Sequence, residues 1–426
     1  MKATTVRAVN SLTSRWAGHA AAGGAGTAFT AAGVWPLLAL LADGATGPAR
    51  TELEQALGTP AGDAAGAARE LLTALDGVRG LRAATGLWAR RDLPLQERWS
   101  ELLPAGTRGS LTGDGDTDRK ALDTWAADRT GGLIERMPAD VGPDTRFVLA
   151  SALALGLRWI RPFTPRAAWI GEGPWAGGAV LGLFRTTSLL DRVRVARAPT
   201  GPVTLLEVVG DGGVDVHLVL GEPQAPPGQT LRTGIAAVTR AIASTGASTL
   251  PEGDPGPGLH IGQVPSTDRR HLLRISTVAF EVRGEHDLMA HPEPFGLASA
   301  SDQGRGHFPG ISAEPLAIGS ARQTAMARFH AEGFEAAAVT AAAIASAGPG
   351  PRLRYRVRRA EVAFHRPFGF LAVHRASRLV LAGGWVADPV PYEERELSEE
   401  EKSAEEERAD SGPEEWGGAA RGRSAL

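Results

Sequence analysis

The sequence predicts an α+β fold, with helices concentrated in the first third of the chain and strands in the rest. Three observations support this prediction. Apolar residues at helical spacing dominate up to Gly131, short alternating segments dominate later, and no strand–helix–strand repetition is seen. With 43% hydrophobic and 22% charged residues among 426, the composition is that of a soluble globular protein.

The amino-terminal part contains the helical patterns. The segment Val34 to Ala42, "VWPLLALLA", is apolar on all sides and predicts a buried helix. Pro48 marks a helix start, whereas Gly58 and the pair Gly131-Gly132 mark helix ends. The predicted helices cover 6–19, 34–42, 47–57, 64–78 and 118–130.

The remainder of the chain is rich in strand patterns. The apolar run 145–159 is long enough for either a buried strand or a helix, and the sequence leaves both open. Gly212-Gly213 predicts the turn of a hairpin. Other predicted strands lie within 80–95, 203–221, 272–284, 320–333, 352–364, 368–376 and 378–388.

Several signals for enzymes and metal sites fail. The chain has no cysteine, which excludes disulfides and thiol chemistry. The segment Asp114–Asp118 opens like a calcium loop, but Arg119 and Trp125 replace the required glycine and glutamate. His286 and His291 lie five residues apart, which suits no common zinc helix. We therefore expect no catalytic residues, no metal and no cofactor, although a triad assembled from distant residues stays open.

The two ends of the chain carry little apolar sequence. Arg15 and Trp16 stand where the apolar part of a signal peptide would lie, and no run of eighteen apolar residues exists. We expect a soluble monomer, cytoplasmic by sequence, that binds neither membrane nor nucleic acid. Residues 391–426 hold twelve acidic and five basic residues, a balance of −7 that leaves +4 for the rest. This tail is predicted to be disordered, either as a solubilising appendage or, less favoured, as a tether for a basic partner.

Four segments, in order along the chain, carry a resemblance to a known family. They are "FTAAGVWPLLALLADGATGPARTELEQALG", "WAADRTGGLIERMP…DTRFVLASALALGLRWIRPF", "EGFEAAAVT" and "RPFGFLAVHRASRLVLAGGWVADP". With these segments the chain resembles the serpin family, as a bacterial-type member. The resemblance implies one domain over 1–390, with mostly antiparallel sheets and an exposed reactive-centre loop at about 334–358. It also implies inhibition of serine proteases rather than an enzymatic activity. Members of the family are often extracellular, in contrast to the cytoplasmic location expected from the sequence.

In this family a protease cleaves the loop and becomes acyl-linked, and the loop then inserts as a new strand in the main sheet. An inserted strand needs small, alternating residues and no proline. The resemblance places the hinge of the loop at nine residues: Glu332, Gly333, Phe334, Glu335, Ala336, Ala337, Ala338, Val339 and Thr340. The residues predicted to face inward are Phe334, Ala336, Ala338, Thr340 and Ala342.

Two bonds are candidates for cleavage. Counting fourteen residues from Gly333 gives Ala347–Gly348, whereas counting back from "RPF" gives Arg356–Val357. Pro349 and Pro351 cannot sit in a central strand, so we favour Ala347–Gly348 and an elastase-like or subtilisin-like protease as partner. Arg352, Arg354, Arg356 and Arg358 alternate with apolar residues, which predicts an edge strand with a basic outer face or, alternatively, bait for a trypsin-like protease.

Some positions depart from the family's pattern. The polar cluster under the opening point of the sheet usually has Ser, Asn and His, and the matching residues here are Thr30, Ser151 and Gln323. Trp159 matches the tryptophan where loop insertion begins. Phe334 stands where inhibitors have Thr or Ser, and overpacking by its ring would cost about 1–3 kcal/mol. These departures keep a second function open: a non-inhibitory binding protein or a plain protease substrate.

Overall fold

A computed structural model describes residues 1–302, 304, 306–334 and 353–393. Residues Met1–Pro391 form one compact unit. No described helix is both long enough and apolar enough to cross a membrane. The predicted α+β class is confirmed, since helices dominate the first 130 residues and strands the remainder.

The described residues contain seven α-helices. Thr30 caps α2 by accepting a hydrogen bond from the Gly33 amide at 3.3 Å, and every residue from Ala31 to Ala42 is buried. Gly58 and Gly131 end α3 and α6 with φ values of 63° and 67°, in the left-handed region that favours glycine. The helices are α1 Ala3–Ala20, α2 Ala31–Asp43, α3 Gly47–Leu57, α4 Ala61–Asp76, α5 Glu97–Leu102, α6 Gly115–Thr130 and α7 Pro227–Val238, with 3-10 turns at Leu190–Arg192, Glu293–Phe295 and Ser299–Ser301.

Twenty strands are described. The ambiguous run 145–159 forms strands, because its small and apolar residues pair with neighbours on both sides. The strands are β1 Thr27–Phe29, β2 Leu81–Arg90, β3 Arg108–Leu111, β4 Phe147–Leu155, β5 Leu157–Arg158, β6 Thr164–Trp169, β7 Ala179–Thr187, β8 Val193–Ala198, β9 Gly201–Val209, β10 Val214–Leu220, β11 Ser244–Gly246, β12 Gly253–Gly256, β13 Leu259–Ser266, β14 Leu272–Val278, β15 Phe280–Asp287, β16 Ser320–Phe329, β17 Gly333–Phe334, β18 Tyr355–Ala363, β19 Phe368–His374 and β20 Val380–Val386.

The strands form three sheets. The main sheet has the order β3-β2-β4-β16-β17-β5, and β15 pairs with β16. The second sheet has the order β12-β13-β18-β14-β7-β6, and the third has β1-β20-β19-β10-β9-β8-β11. Pairing in the main sheet is antiparallel except between β4 and β16 and between β2 and β3.

The main sheet is covered on both faces. Helix α2 contacts β2 and β4 and belongs to the large core that includes Leu149 and Leu153. Helix α6 contacts the same two strands, and a separate apolar cluster with Leu122 and Trp88 lies between. Consecutive β4 residues therefore face opposite cores, which explains why this strand reads as a continuous apolar run.

The prediction of an edge strand holds for only part of the strand. Strand β18 lies inside the second sheet, because Tyr355 to Val362 pair with β13 and Arg359 to Ala363 pair with β14. Its first four residues, which carry Arg356 and Arg358 of the alternating arginines, pair with β13 alone. The apolar pattern of β13 is weak and ends in Val264, Pro265 and Ser266. The sequence analysis therefore did not identify β13 and did not predict that β18 pairs with it.

Candidate hinge and sheet-opening site

Strand β17 brings the start of the predicted hinge into the main sheet. Phe334 pairs with Phe329 of β16 on one side and with Leu157 of β5 on the other. Beyond this point β4 and β16 pair directly with each other, from Ala325↔Leu153 to Ser320↔Val148. The described part of the hinge thus lies at one end of the seam between β4 and β16.

Gly333 allows the hinge to approach β5 closely. A Cβ atom on this residue would overlap the carbonyl oxygen of Leu157. Because that oxygen belongs to the backbone, a side chain at position 333 would push β17 away from β5. The glycine is therefore a geometric requirement of this three-strand arrangement.

Phe334 faces the core. Its side chain is only 1% exposed, and its ring centre lies 6.0 Å from that of Phe370 in β19. The neighbouring Phe329 ring stacks on Phe280 at 5.2 Å with an interplanar angle of 13°. The fold therefore accommodates a benzyl group at this position within an aromatic cluster that joins the main and third sheets.

Trp159 holds the turn that precedes the hinge. Its backbone N–H donates to the carbonyl of Glu332 at 2.8 Å, and its indole Nε1 donates to the carbonyl of His330 at 2.9 Å. Its ring centre lies 4.9 Å from that of Phe329. The tryptophan thus fixes Glu332 and Gly333 at the end of β5, both by backbone pairing and by packing.

A row of polar side chains crosses the main sheet farther along the seam. Thr85 of β2 pairs with Ser151 of β4, Ser151 with Gln323 of β16, and Gln323 with His286 of β15. Directly paired residues point to the same face of a sheet, so these four side chains form one polar row in the core. Ser151 and Gln323 are each 0% exposed.

Thr30 lies close to this row. Its hydroxyl donates to the Leu381 carbonyl at 2.6 Å, in addition to capping α2. A Cβ atom on Gly33 would overlap the Ser151 hydroxyl and would lie 3.4 Å from Thr30 Cγ2. The structure therefore brings Thr30, Ser151 and Gln323 together, whereas Trp159 lies at the hinge end of the seam.

The polar row is incompletely hydrogen-bonded. The Thr85 hydroxyl, the Ser151 hydroxyl and both amide atoms of Gln323 have no partner among the described residues. Each buried polar group left without a partner costs about 1–3 kcal/mol. His286 differs, because its Nε2 faces the Ala28 carbonyl at 2.9 Å, and burial lowers the pKa of this imidazole despite that hydrogen bond.

The second candidate bond is held in strand β18. Val357 is 4% exposed and pairs with Val264 of β13, and Arg356 pairs with Pro265. The side chain of Arg358 donates to the carbonyls of Ala247 and Leu250. The hinge residues from Glu335 to Thr340, the Ala347–Gly348 bond and the tail from position 394 lie outside the described residues.

Sequence reasoning missed several residues of this site. Thr85 and His286 belong to the polar row only through strand register, and Phe370 meets Phe334 only through the packing of two sheets. A small-polar residue in the middle of a buried strand was the available signal for Thr85. Within the described ranges no cluster of three or more His, Cys, Asp or Glu residues is arranged to hold a metal ion.

Comparisons with known proteins agree on one family. A family model described as serpin (serine protease inhibitor) matches residues 11–169. The rice protein putative serpin-Z6C (Oryza sativa subsp. japonica) is 25% identical over 415 residues, which cover 91% of this chain and 96% of that protein.

Solved structures agree on the fold. The crystal structure of Serpin48, described as a highly specific serpin in the insect Tenebrio molitor, has a TM-score of 0.66 at 19% identity and covers 90% of this chain and 97% of its own. Human thyroxine-binding globulin in complex with thyroxine has a TM-score of 0.66 at 15% identity, with 91% and 98% covered.

Proposed function

Because this chain belongs to the serpin family and has its fold, we propose that it inhibits serine proteases as a suicide substrate. Members of the family are mostly protease inhibitors rather than enzymes. In the proposed reaction, the protease cleaves the loop after β17 and stays acyl-linked to it. The amino-terminal part of the loop then extends β17 between β4 and β16 and carries the protease with it.

The observation that carries this proposal is the position of β17 at the end of the β4–β16 seam. Its pairing with β16 and β5 sets a register for each further residue. Continued in that register, Ala336 would lie between Ala327 and Leu155, and Ala338 between Ala325 and Leu153. Small side chains at these positions fit between strands that are already buried.

The same register brings Thr340 between Ser151 and Gln323. Among the described residues, the Ser151 hydroxyl and both amide atoms of Gln323 are buried without hydrogen-bond partners. A hydroxyl inserted there would supply a donor and an acceptor. Insertion would thus remove the free-energy cost of these unpartnered polar groups in the closed sheet. It would also add backbone hydrogen bonds, each contributing about 1 kcal/mol.

Two features support Ala347–Gly348 as the cleaved bond. The segment 335–348 contains no proline, and Pro349 ends the part that a central strand accepts. The alternative, Arg356–Val357, would require a protease to open the β13–β18 pairing first, because proteolysis needs a locally unpaired chain. An alanine before the bond suits elastase-like or subtilisin-like proteases with small primary pockets, and a trypsin-like protease is the less favoured partner.

The experiment compares the melting temperature before and after loop cleavage by a subtilisin-like protease. Insertion should raise the melting temperature strongly, because the cleaved loop completes the main sheet. A matched control carries Ala338→Pro, which removes a ladder hydrogen bond and blocks a central strand. The control should be cleaved at the same bond without the rise. Equal melting temperatures for cleaved and uncleaved wild-type protein would contradict the proposal.

A second candidate function is ligand binding without inhibition. A cavity beside α7, of about 610 Å³, has more basic than acidic lining residues. The basic ones are Arg192, Arg194, Arg240, Arg378 and His217, against Asp191 and Glu207, and Glu207 pairs with Arg192. The His217 side chain is 8% exposed and its Nε2 has no partner among the described residues, while burial lowers its pKa and keeps the imidazole neutral. Thyroxine-binding globulin, a structural neighbour of this chain, is solved with thyroxine.

These features suit a small anion with an apolar body, since Leu205, Val238 and Ile242 also line the cavity. Isothermal titration with an aromatic carboxylate tests this candidate. Binding that His217→Phe abolishes, in a protein whose cleavage gives no rise in melting temperature, would favour it over inhibition. The absence of binding would leave inhibition as the supported function.

A further inference from the structure

Three arginine side chains near the start of β18 take no part in the proposed loop insertion. Arg354 and Arg356 are exposed at the start of β18, and the guanidinium carbon of Arg269 lies 5.3 Å from the centre of the Tyr355 ring. None of these three arginines forms an ion pair with another described residue, in contrast to their neighbours. Together, Arg269, Arg354 and Arg356 form the arginine cluster.

Nearby carboxylates do not neutralise the cluster. Asp268 is taken up by Arg270, whose Nη2 lies 2.7 Å and whose Nε lies 2.9 Å from the same carboxylate oxygen. Glu361 is shared between Arg274 and Arg359, each at 3.4 Å. The start of β18 therefore presents an excess of positive charge to solvent.

Two arginines of the cluster are held in place by β13. Tyr355 pairs with Ser266, Arg356 pairs with Pro265, and the Arg354 amide donates to the Ser266 carbonyl at 2.9 Å. Paired backbone restricts where these two guanidinium groups can reach. Arg269 lies in the loop between β13 and β14, and its guanidinium group faces the Tyr355 ring.

The cluster also lies close in sequence to the proposed cleaved bond. Arg354 follows Gly348 by six residues, a span of at most about 20 Å for extended chain. A specific interface covers about 800 Å² on each partner, or a radius of roughly 16 Å. A protease bound at Ala347–Gly348 would therefore have its rim near the arginine cluster; this step rests on the proposed function.

We propose that the arginine cluster is a docking surface for an acidic rim on the target protease, on the side that follows the cleaved bond. Guanidinium groups form directed hydrogen bonds with carboxylates. Charges at the rim of an interface act mainly on the association rate and its salt dependence. The cluster then selects among proteases that share a small primary pocket.

The test compares Arg354→Glu/Arg356→Glu with a matched control, Arg69→Glu/Arg98→Glu, which makes the same charge change on exposed positions of α4 and α5. Each protein is cleaved by two subtilisin-like proteases, one with a net negative and one with a net positive surface. The second-order rate of loop cleavage is measured at about 50 mM and about 500 mM salt, where screening differs strongly.

With the acidic protease, we expect the cluster variant to be cleaved about tenfold more slowly at low salt and to lose its salt dependence. The control should behave as wild type, and the basic protease should cleave the cluster variant no more slowly than wild type. Equal rates for cluster and control variants, equal slowing with both proteases, or cleavage by neither protease would each overturn the docking surface.

Two further outcomes would also overturn it. A fragment that begins at Val357 would make the arginines part of the bait. Unchanged cleavage rates together with lost retention on dextran sulfate would make the cluster a polyanion site. Because cleavage is measured whether or not an adduct follows, a missing adduct would count against inhibition alone and leave the docking result readable.

Discussion

At the residue scale, Phe334 anchors β17, the described start of the proposed hinge, in the core. A hydroxyl-bearing residue at this position would gain little from the neighbouring ring of Phe370, whereas the benzyl group is almost fully buried. Gly333 beside it permits the close approach to β5. Together these two residues explain why a short strand, β17, already lies between β16 and β5.

Phe334→Ala should lower the free energy of unfolding of the uncleaved protein by about 3 kcal/mol, because truncating a buried Phe leaves a cavity among the aromatic rings. Urea unfolding followed by tryptophan fluorescence measures the change. Leu353→Ala is the control, since that side chain is 61% exposed and its loss should alter stability by less than about 0.5 kcal/mol. Equal midpoints for Phe334→Ala and wild type would show that the ring does not anchor β17.

At the element scale, the seam between β4 and β16 contains buried polar groups that have no hydrogen-bond partner among the described residues. The polar row points into a core where Ser151 and Gln323 find no partner among the described residues, so the closed arrangement of these strands is less stable than it would be with apolar residues. In the proposed mechanism, an inserted strand that brings Thr340 to the same level would remove this cost. The pairing register of β17 determines which residue of an inserted strand would reach the polar row.

Thr340→Val should lower the melting temperature of the cleaved protein by about 1–2 °C and leave the uncleaved protein unchanged, because valine keeps the shape and loses the hydroxyl. Differential scanning calorimetry of both forms measures the effect.

Ser151→Ala supplies the matched partner for a double-mutant cycle. Alone, it should be neutral or stabilising in the uncleaved protein, since it removes an unsatisfied hydroxyl. In the cleaved protein the double variant should lose no more than either single variant. Strictly additive losses would mean that the two hydroxyls do not meet, and the register assigned to the inserted strand would be wrong.

Much of the element order could be predicted from the sequence. Pro48, Gly58 and Gly131 mark helix ends through local chemistry, and the pattern of β9 and β10 predicts their hairpin. The position of β18 could not be predicted, because pairing with β13 depends on contacts between segments about 100 residues apart. The polar row was only partly visible for the same reason, since register across four strands decides that Thr85 and His286 join it.

At the scale of the whole molecule, the proposed reactive loop begins and ends at strands of two different sheets. Its amino-terminal end begins at β17 in the main sheet, and its carboxy-terminal end enters β18 in the second sheet. Eight paired positions with β13 and five with β14 hold β18 in place. In the proposed mechanism, only the part of the loop attached to β17 would therefore move into the seam after cleavage.

Buried histidines make global stability depend on pH. Burial lowers the pKa of His217, His286 and His365 below the ordinary value of 6.5. Below about pH 6.5 the histidines of the unfolded chain bind protons that the buried histidines of the folded chain do not. The free energy of unfolding therefore keeps its full value above that pH and decreases as the pH drops. We expect a lower urea midpoint at pH 5.5 than at pH 7.5, and a smaller difference in His217→Gln. A midpoint that rises on acidification would contradict these assignments.

The most direct test of the central claim is incubation with an elastase-like or subtilisin-like protease, followed by a denaturing gel and mass spectrometry. Inhibition by loop insertion predicts a stable covalent adduct of protease with residues 1–347 and release of the fragment 348–426. Cleavage at Ala347–Gly348 without any adduct would contradict inhibition and make the chain a protease substrate that keeps the fold.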